Sequence, residues 1–244
     1  MYFLFSGEGK TDLGRARADA DVCEGEDYDF GPMAVMVDQI FDANFNYSIL
    51  DSGQCGFVSK RKLSARKIEL NPGRGALKLP GPNRKKDTLY FYNNARVLAR
   101  IAKERENERN TTVVAILFRD SDGTKSSDPN LWPDKVRSMI RGFTEENYER
   151  GVPMVPKPKS EAWILCGLKH GHLNCNSLEN RSGNDNSPNS LKKELKKHYG
   201  GKLPSKEVLN QIVRDRQVDV DQLKMTSFTK FRTRLEEVIN NIDS

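Results

Sequence analysis

A continuous run of seven β-branched or apolar residues constrains the fold of this chain more than any other feature. The run, TVVAILF, occupies residues 112–118. A strand that faces water on one side alternates apolar and polar residues, whereas a parallel strand covered on both faces reads as an unbroken apolar run. The sequence therefore predicts a parallel strand in the middle of a sheet, with helices packed on both of its faces.

Helical and strand patterns alternate along the first 170 residues around this run. This order predicts an α/β fold, a mostly parallel sheet flanked by helices. Residues 10–30 show no clear period and are expected to form a loop with a helical turn. The other predicted strands are 2–5, 47–50 and 152–155, and the predicted helices are 33–45, 89–107, 132–148 and 159–168.

Two segments are expected to lie outside the sheet. Residues 52–88 contain many glycine, proline and basic residues, which favours a hairpin-like or loop insertion. Residues 174–190 are rich in Asn, Ser and Gly, which favours a flexible linker. Helices are predicted beyond it at 188–199, 204–214 and 227–241. We therefore expect a catalytic domain over residues 1–175 and a small helical C-terminal subdomain over residues 188–244.

Cysteine spacing and hydropathy indicate a soluble cytoplasmic protein without a membrane segment. Cys23, Cys55, Cys166 and Cys175 show no CxxC spacing and are expected to be free thiols. No apolar run approaches the roughly 20 residues that cross a bilayer. The opening residues MYFLFSGEGKTD lack a basic region and predict a strand rather than a signal peptide. The sequence leaves self-association open.

Positive charge is concentrated between Lys60 and Asp87. Ten basic and two acidic residues give this segment a net charge of +8, so the other residues sum to −2 within the total of +6. Such a segment is typical of a protein that binds nucleic acid, DNA or RNA, although a solvated lysine-rich loop has the same composition. The candidate nucleic-acid-binding residues are Lys60, Arg61, Lys62, Arg66, Lys67, Arg84, Lys85 and Lys86.

Acidic residues follow two of the predicted strands. Glu8 comes directly after the first strand, and Asp120 and Asp122 follow the 112–118 run. Reactive groups of open α/β sheets gather beyond the carboxyl ends of the strands, so we expect these three carboxylates to meet. They would repel each other unless a divalent cation lay among them. Mg²⁺ (or Mn²⁺) prefers such oxygen ligands, and a site of this kind suits phosphodiester hydrolysis.

Three further positions could complete an acidic site. Asp12 would join it if the chain after Glu8 turns helically. Ser160 is predicted to cap the helix that follows. Glu161 either stabilises the start of that helix through its charge or serves as another metal ligand. In the second case Lys157 or Lys159 would neutralise the phosphate at the cleaved bond, and Lys159 is the candidate catalytic residue.

The order of these motifs resembles the TOPRIM fold. That fold is shared by topoisomerases, primases, recombination proteins and the OLD-family (overcoming lysogenization defect) nucleases. The resemblance rests on Glu8-Gly9 after the first strand and Asp-x-Asp after a later one. The runs PKSEAWIL and SFTKF are similar, more specifically, to small stand-alone TOPRIM-like proteins of bacterial and phage defence loci, some partnered with an ATPase. The match covers roughly residues 1–50 and 89–170.

The resemblance implies a Mg²⁺-dependent endonuclease that acts in anti-phage defence together with an ATPase partner. It implies that Glu8 is a metal ligand or general base, and that Asp120 and Asp122 are metal ligands. Asp12 and Glu161 would be auxiliary acids.

One motif supports a different enzyme. Residues 120–124, DSDGT, are also similar to the DxDGT signature of haloacid-dehalogenase-type phosphatases, in which the first Asp is the nucleophile and the second the acid/base. That motif usually lies near the start of the domain, and this interpretation leaves Glu8 without a role. A small-molecule phosphohydrolase is therefore the alternative enzyme. A non-catalytic nucleic-acid-binding module is the alternative of another class.

Overall fold

The structure, a computed structural model, describes residues 1–70, 86–122, 131–169 and 175–242. Its strands are β1 (Tyr2–Gly7), β2 (Gly14–Ala16), β3 (Val22–Glu24), β4 (Tyr28–Phe30), β5 (Cys55–Val58), β6 (Val113–Phe118) and β7 (Gly151–Met154). Its α-helices are α1 (Pro32–Phe45), α2 (Lys60–Leu70), α3 (Lys86–Arg109), α4 (Trp132–Glu145), α5 (Ser160–Leu168), α6 (Asn176–Glu179), α7 (Leu191–His198), α8 (Lys206–Arg214) and α9 (Thr226–Asn240).

A mostly parallel sheet organises the chain, as predicted. Its strand order is β3-β5-β1-β6-β7, and β5, β1, β6 and β7 are parallel, whereas β3 is antiparallel to β5. The 112–118 run forms β6, which lies between β1 and β7 with all six residues buried. The prediction of a strand covered on both faces is confirmed. A separate antiparallel pair joins β2 and β4.

Alternate side chains of β1 enter two hydrophobic cores, one on each face of the sheet. Phe3 and Phe5 lie in the core that α1, α5 and α9 cover. Tyr2 and Leu4 lie in the core that α3 and α4 cover. This alternation follows from the two-residue period of a strand. In the first core the buried indole of Trp163 packs against two phenylalanine rings of α9 at centroid distances of 5.0 and 5.6 Å.

Part of the segment 52–88 belongs to the sheet, so the prediction of an insertion outside the core is wrong there. Residues 55–58 form β5, which is buried and pairs in parallel with β1. The basic residues 60–67 that follow belong to α2, a helix that packs on α3 through the buried Leu63. The four-residue strand escaped prediction because Gly56 interrupts an already short apolar run. The predicted loop at residues 71–85 lies outside the described residues.

The three C-terminal helices are confirmed as α7, α8 and α9, but they have no core of their own. Leu191, Ile212 and Leu235 belong to the same buried cluster as Phe3. The linker prediction is wrong for residues 175–190, which contain α6 and pack against α9. There the buried Glu179 accepts a hydrogen bond from the backbone amide of a residue in α9 at 2.6 Å.

The predicted strand at 47–50 is a turn. Asp38 of α1 accepts hydrogen bonds from the backbone amides of Ile49 and Leu50, at 2.7 and 3.2 Å, and from the hydroxyl of Ser48. Amides that bond a carboxylate in this way do not take part in a strand ladder. Residues 10–30 likewise differ from prediction, since they contain β2, β3 and β4 beside the expected turn.

The cysteine prediction is wrong for one pair. Cys166 and Cys175 form a disulfide with their Cα atoms 5.5 Å apart, whereas Cys23 and Cys55 are free and buried. The separation of nine residues between Cys166 and Cys175 does not predict a disulfide, because their contact depends on how α5 packs against the start of α6. In the described part of the chain no helix is both long and apolar enough to cross a membrane.

The packing of α3 on α4 gives a test of the fold. A Cβ at Gly142 would lie 2.4 Å from the carbonyl oxygen of Tyr92 and 2.8 Å from the Cβ of Ala95. Alanine has a higher helix propensity than glycine by roughly 1 kcal/mol, which favours the variant. Overpacking outweighs this gain, so we expect Gly142→Ala to lower the free energy of unfolding by about 1–3 kcal/mol overall. Urea denaturation measures the change.

The matched control is Arg141→Ala, because Arg141 is exposed on the same helix. That variant should stay within about 0.5 kcal/mol of the wild type. A Gly142→Ala protein as stable as the control would contradict the close helix contact.

Candidate functional site

The site is built where the carboxyl ends of β1 and β6 lie side by side. Gly7, the last residue of β1, pairs with Phe118, the last residue of β6. A Cβ at Gly7 would lie 2.4 Å from the carbonyl oxygen of Phe118, so glycine permits this close approach. The next residues, Glu8 and Arg119, are therefore neighbours, and Arg119 Nη1 donates to Glu8 Oε2 at 2.9 Å.

A tight turn returns the chain after Glu8 to the same edge of the sheet. Gly9 has φ +91°, a conformation that disfavours other residues. Its carbonyl accepts hydrogen bonds from the amides of Asp12 and Leu13, each at 3.1 Å. The predicted turn is confirmed, and it places Asp12 beside the start of α5.

Ser160 joins two carboxylates that come from different strands. Its amide donates to Asp120 Oδ1 at 3.0 Å, and its hydroxyl donates to Asp12 Oδ1 at 2.6 Å. The prediction that Ser160 caps its own helix is wrong, because the N-cap residue is Lys159, which makes no side-chain cap. The carboxylate of Asp120 instead satisfies the first amide of α5.

Three carboxyl groups form an acidic triad around Ser160: Asp12, Asp120 and Glu161. Burial, followed by the charges of Asp12, Glu161 and Asp122, raises the pKa of Asp120 well above its usual range. Burial and then the charge of Asp12 raise the pKa of Glu161. Among the described residues, no cationic side chain forms an ion pair with a member of this triad. The charge of Lys159 lowers the pKa of Glu161 without outweighing burial and Asp12, so the protein offsets the mutual repulsion of the triad only in part.

Glu8 and Asp122 lie beside the acidic triad but have cationic partners. Glu8 Oε2 contacts Arg119 and also Lys60, whose Nζ lies 3.4 Å away. Asp122 Oδ2 lies 3.2 Å from Lys159 Nζ. Burial nevertheless raises the pKa of Asp122, with a further contribution from the charge of Glu8. Two of the three acids that the sequence predicts at the centre, Glu8 and Asp122, thus lie beside the triad and form ion pairs with cationic side chains.

Lys159 contacts a segment that sequence reasoning did not associate with the site. Its Nζ lies 2.8 Å from Asp185 Oδ1. Burial lowers the pKa of Lys159, but hydrogen bonds and charges from Asp185 and Asp122 outweigh burial and raise it, so the side chain stays cationic. A Cβ at Gly183 would lie 2.2 Å from Asp122 Oδ2. No sequence signal marks either Gly183 or Asp185.

Hydrogen bonds between two loops hold Asp120 and Asp122 in position. The amide and hydroxyl of Ser121 both donate to the carbonyl of Pro158, at 3.0 and 3.1 Å. From the other side the buried Lys135 of α4 donates to the carbonyl of Ser121. Asp120 and Asp122 therefore lie on a loop that hydrogen bonds on either side of Ser121 hold in place.

The candidate nucleic-acid-binding residues that the structure describes lie on α2, and several are engaged within the protein. Arg61 pairs with Asp21 and Arg66 with Glu104, each at 2.7 Å. Lys67 instead lies over the ring of Tyr90. Arg84 and Lys85 fall outside the described residues. Lys86 begins α3, and its side chain falls outside them too.

The donor set of the acidic triad fits Mg²⁺ or Mn²⁺, because carboxylate oxygens are the ligands that such hard cations prefer. Ser160 donates to one oxygen of Asp12 and one of Asp120, and the other oxygen of Asp12 accepts a hydrogen bond from the hydroxyl of Thr11 at 3.3 Å. Over residues 1–70, 86–122, 131–169 and 175–242, no three Asp, Glu, His or Cys side chains are placed so that together they could hold a metal ion, so the fit lies in the type of donor and not in a preformed geometry.

Comparisons of the chain with protein-family models, curated proteins and solved structures each give no significant match. The resemblance to TOPRIM-like proteins therefore stays a prediction, and the geometry of the site is the basis for its function.

The crowded carboxylates predict a pH-dependent gain in stability when one charge is removed. A pKa raised in the folded state means that folding favours the protonated carboxyl, so the stability contributed by Asp120 is lost as pH rises through that pKa. In EDTA at pH 7 we expect Asp120→Asn to raise Tm by roughly 2–4 °C, about 1 kcal/mol for a chain of this size. The gain should shrink as pH falls. Differential scanning fluorimetry across pH measures it.

Asp185→Asn is the matched control, for which we expect a change in Tm of the opposite sign. Burial raises the pKa of Asp185, but its hydrogen bond and charge contact with Lys159 outweigh burial and lower it, so Asp185 stabilises the fold above its unfolded pKa. This variant should have a lower Tm at pH 7. Equal Tm changes in the two variants would contradict the uncompensated triad.

Proposed function

We propose that this protein is a Mg²⁺- or Mn²⁺-dependent nuclease that cleaves phosphodiester bonds of DNA or RNA. One observation carries the proposal. Ser160 bridges Asp12 and Asp120 at the carboxyl edge of an α/β sheet, and burial, followed by the charges of Asp12 and Glu161, raises the pKa of Asp120. No cationic side chain that the structure describes forms an ion pair with these three acids. A buried group of like charges calls for a counterion, and divalent cations bound by carboxylates are the common means of phosphodiester hydrolysis.

Each residue of the site would have a distinct role in such a reaction. Asp12, Asp120 and Glu161 would hold the cation, with Asp122 and Glu8 next to it. Bound there, the cation would polarise a phosphoryl oxygen and activate water. Lys159, which stays protonated, would neutralise charge on the phosphate. Glu8, kept in place through Oε2 by Arg119, would serve as a further ligand or as the general base.

The biological setting of the proposal rests on the sequence resemblance alone. Small stand-alone TOPRIM-like proteins of defence loci suggest an anti-phage effector of the cytoplasm that works with an ATPase partner. The site geometry is compatible with cleavage of either nucleic acid.

Cleavage of plasmid DNA, single-stranded DNA and RNA with Mg²⁺ or Mn²⁺ tests the proposal. We expect EDTA to abolish cleavage. Asp12→Asn, Asp120→Asn and Glu161→Gln should each reduce its rate beyond the roughly 10–100-fold that loss of an outer-shell partner costs, because each would remove a ligand of the cation. Glu108→Gln is the matched control, since Glu108 is exposed near the opposite, amino end of β6 and should keep wild-type activity.

Metal binding is measured separately, because an absent partner protein could silence cleavage. Mn²⁺ should raise the Tm of the wild type and of Glu108→Gln by mass action, but not that of Asp120→Asn. Equal stabilisation of all three proteins would contradict the metal site. Hydrolysis of a chromogenic phosphomonoester without cleavage of any nucleic acid would instead support the phosphohydrolase alternative.

A further inference from the structure

Three cationic side chains gather around the ring of Tyr90 in α3. The guanidinium carbon of Arg119 lies 3.7 Å from the ring centroid, the ammonium of Lys67 4.5 Å and that of Lys60 5.7 Å. We call Lys60, Lys67 and Arg119 the cationic cluster. An aromatic ring attracts each cation, but the three cations also repel one another. The structure therefore holds an excess of positive charge in a small volume.

The acidic side chains of the described residues balance this cluster only in part. Glu8 pairs with Lys60 and with Arg119. Lys67 forms no ion pair with any acidic side chain that the structure describes. Burial, followed by the charges of Arg119 and Lys60, lowers the pKa of Lys67 to about 8. An anion bound beside Lys67 would offset the excess charge.

The cationic cluster contacts Glu8 and lies at the same, carboxyl edge of the sheet as the acidic triad. Arg119 directly precedes Asp120, and Glu8 contacts the cluster while its charge also reaches Asp122. An anion held by the cluster would therefore lie at the same edge of the sheet as the proposed cation. A nucleic-acid strand carries one negative charge at every nucleotide, so a strand that presents one phosphate to the triad also offers neighbouring phosphates.

We infer that Lys67, together with Lys60 and Arg119, binds a backbone phosphate of the substrate strand next to the bond that is cleaved. The inference rests on the proposed nuclease function for the identity of the ligand. Lys67 makes the main contact because it lacks an internal acidic partner, whereas Lys60 and Arg119 also hold Glu8. If Lys67 only packed its methylene stem on Tyr90, it would contribute nothing to binding.

Fluorescence anisotropy of a labelled single-stranded oligonucleotide, measured in EDTA over a range of NaCl concentrations, tests the inference. Lys67→Met keeps an unbranched stem and removes the charge. We expect it to weaken binding roughly tenfold, as loss of a charged hydrogen bond does. The slope of log affinity against log salt should fall by about 0.7, the share of one single-strand phosphate. Lys67→Arg should keep both the affinity and the salt slope of the wild type.

Lys197→Met on α7 is the single-charge control, because Lys197 is exposed and lies outside the cluster. Equal losses in Lys67→Met and Lys197→Met, or an unchanged salt slope in Lys67→Met, would overturn the inference. Displacement of the oligonucleotide by a mononucleotide at equal phosphate concentration would also overturn it, since the site would then bind free nucleotides. Binding is measured without divalent cations, so Lys67-dependent binding without cleavage would contradict the nuclease proposal alone.

Discussion

The two hydrogen bonds that Ser160 donates hold together the arrangement on which the candidate site depends. The amide bonds Asp120 after β6 and the hydroxyl bonds Asp12 after β1, so the first residue of α5 joins three separate segments. Repulsion between carboxylates opposes this geometry, and packing has to offset it. Trp163, three residues along α5, supplies much of that packing through its contacts with α9. The C-terminal helices thus support the site and are more than an appended cap.

The acids of the site differ in how their charge is compensated. Glu8 and Asp122 each form an ion pair, with Arg119 and Lys159 respectively, so a cationic side chain offsets part of the charge of each. The triad around Ser160 forms no ion pair with a described cationic side chain, and burial followed by repulsion from neighbouring acids raises the pKa values of Asp120 and Glu161. A bound cation would therefore lower the free energy of the triad far more than that of Glu8 or Asp122. This difference moves the expected centre of the chemistry from Glu8 toward Asp120.

Features that depend on local pattern could be predicted from the sequence. The apolar residues of β6, and those at helical spacing in α1 and α3, can be buried together only in a strand and in helices respectively. The predictions of these three elements were therefore correct. The acidic residues after the strands were also predicted to lie at the carboxyl edge of the sheet, where Glu8 and Asp120 are found. Features that depend on contacts between distant segments could not be predicted. Gly183 touches Asp122, and Cys166 meets Cys175, only because of how the final helices pack.

The number of basic residues in a segment also overstates how many of them lack an acidic partner within the protein. The segment from Lys60 carries a large positive net charge, but Arg61 and Arg66 lie on a helix that aims them at acidic partners of other elements. Such pairs hold those two side chains within the fold, so they attract a polyanion less than free cations would. Lys67, turned toward Tyr90 and Arg119, lacks that compensation. Which of the described basic side chains lack an acidic partner therefore depends on the packing of α2 on α3 and cannot be read from the number of lysines and arginines.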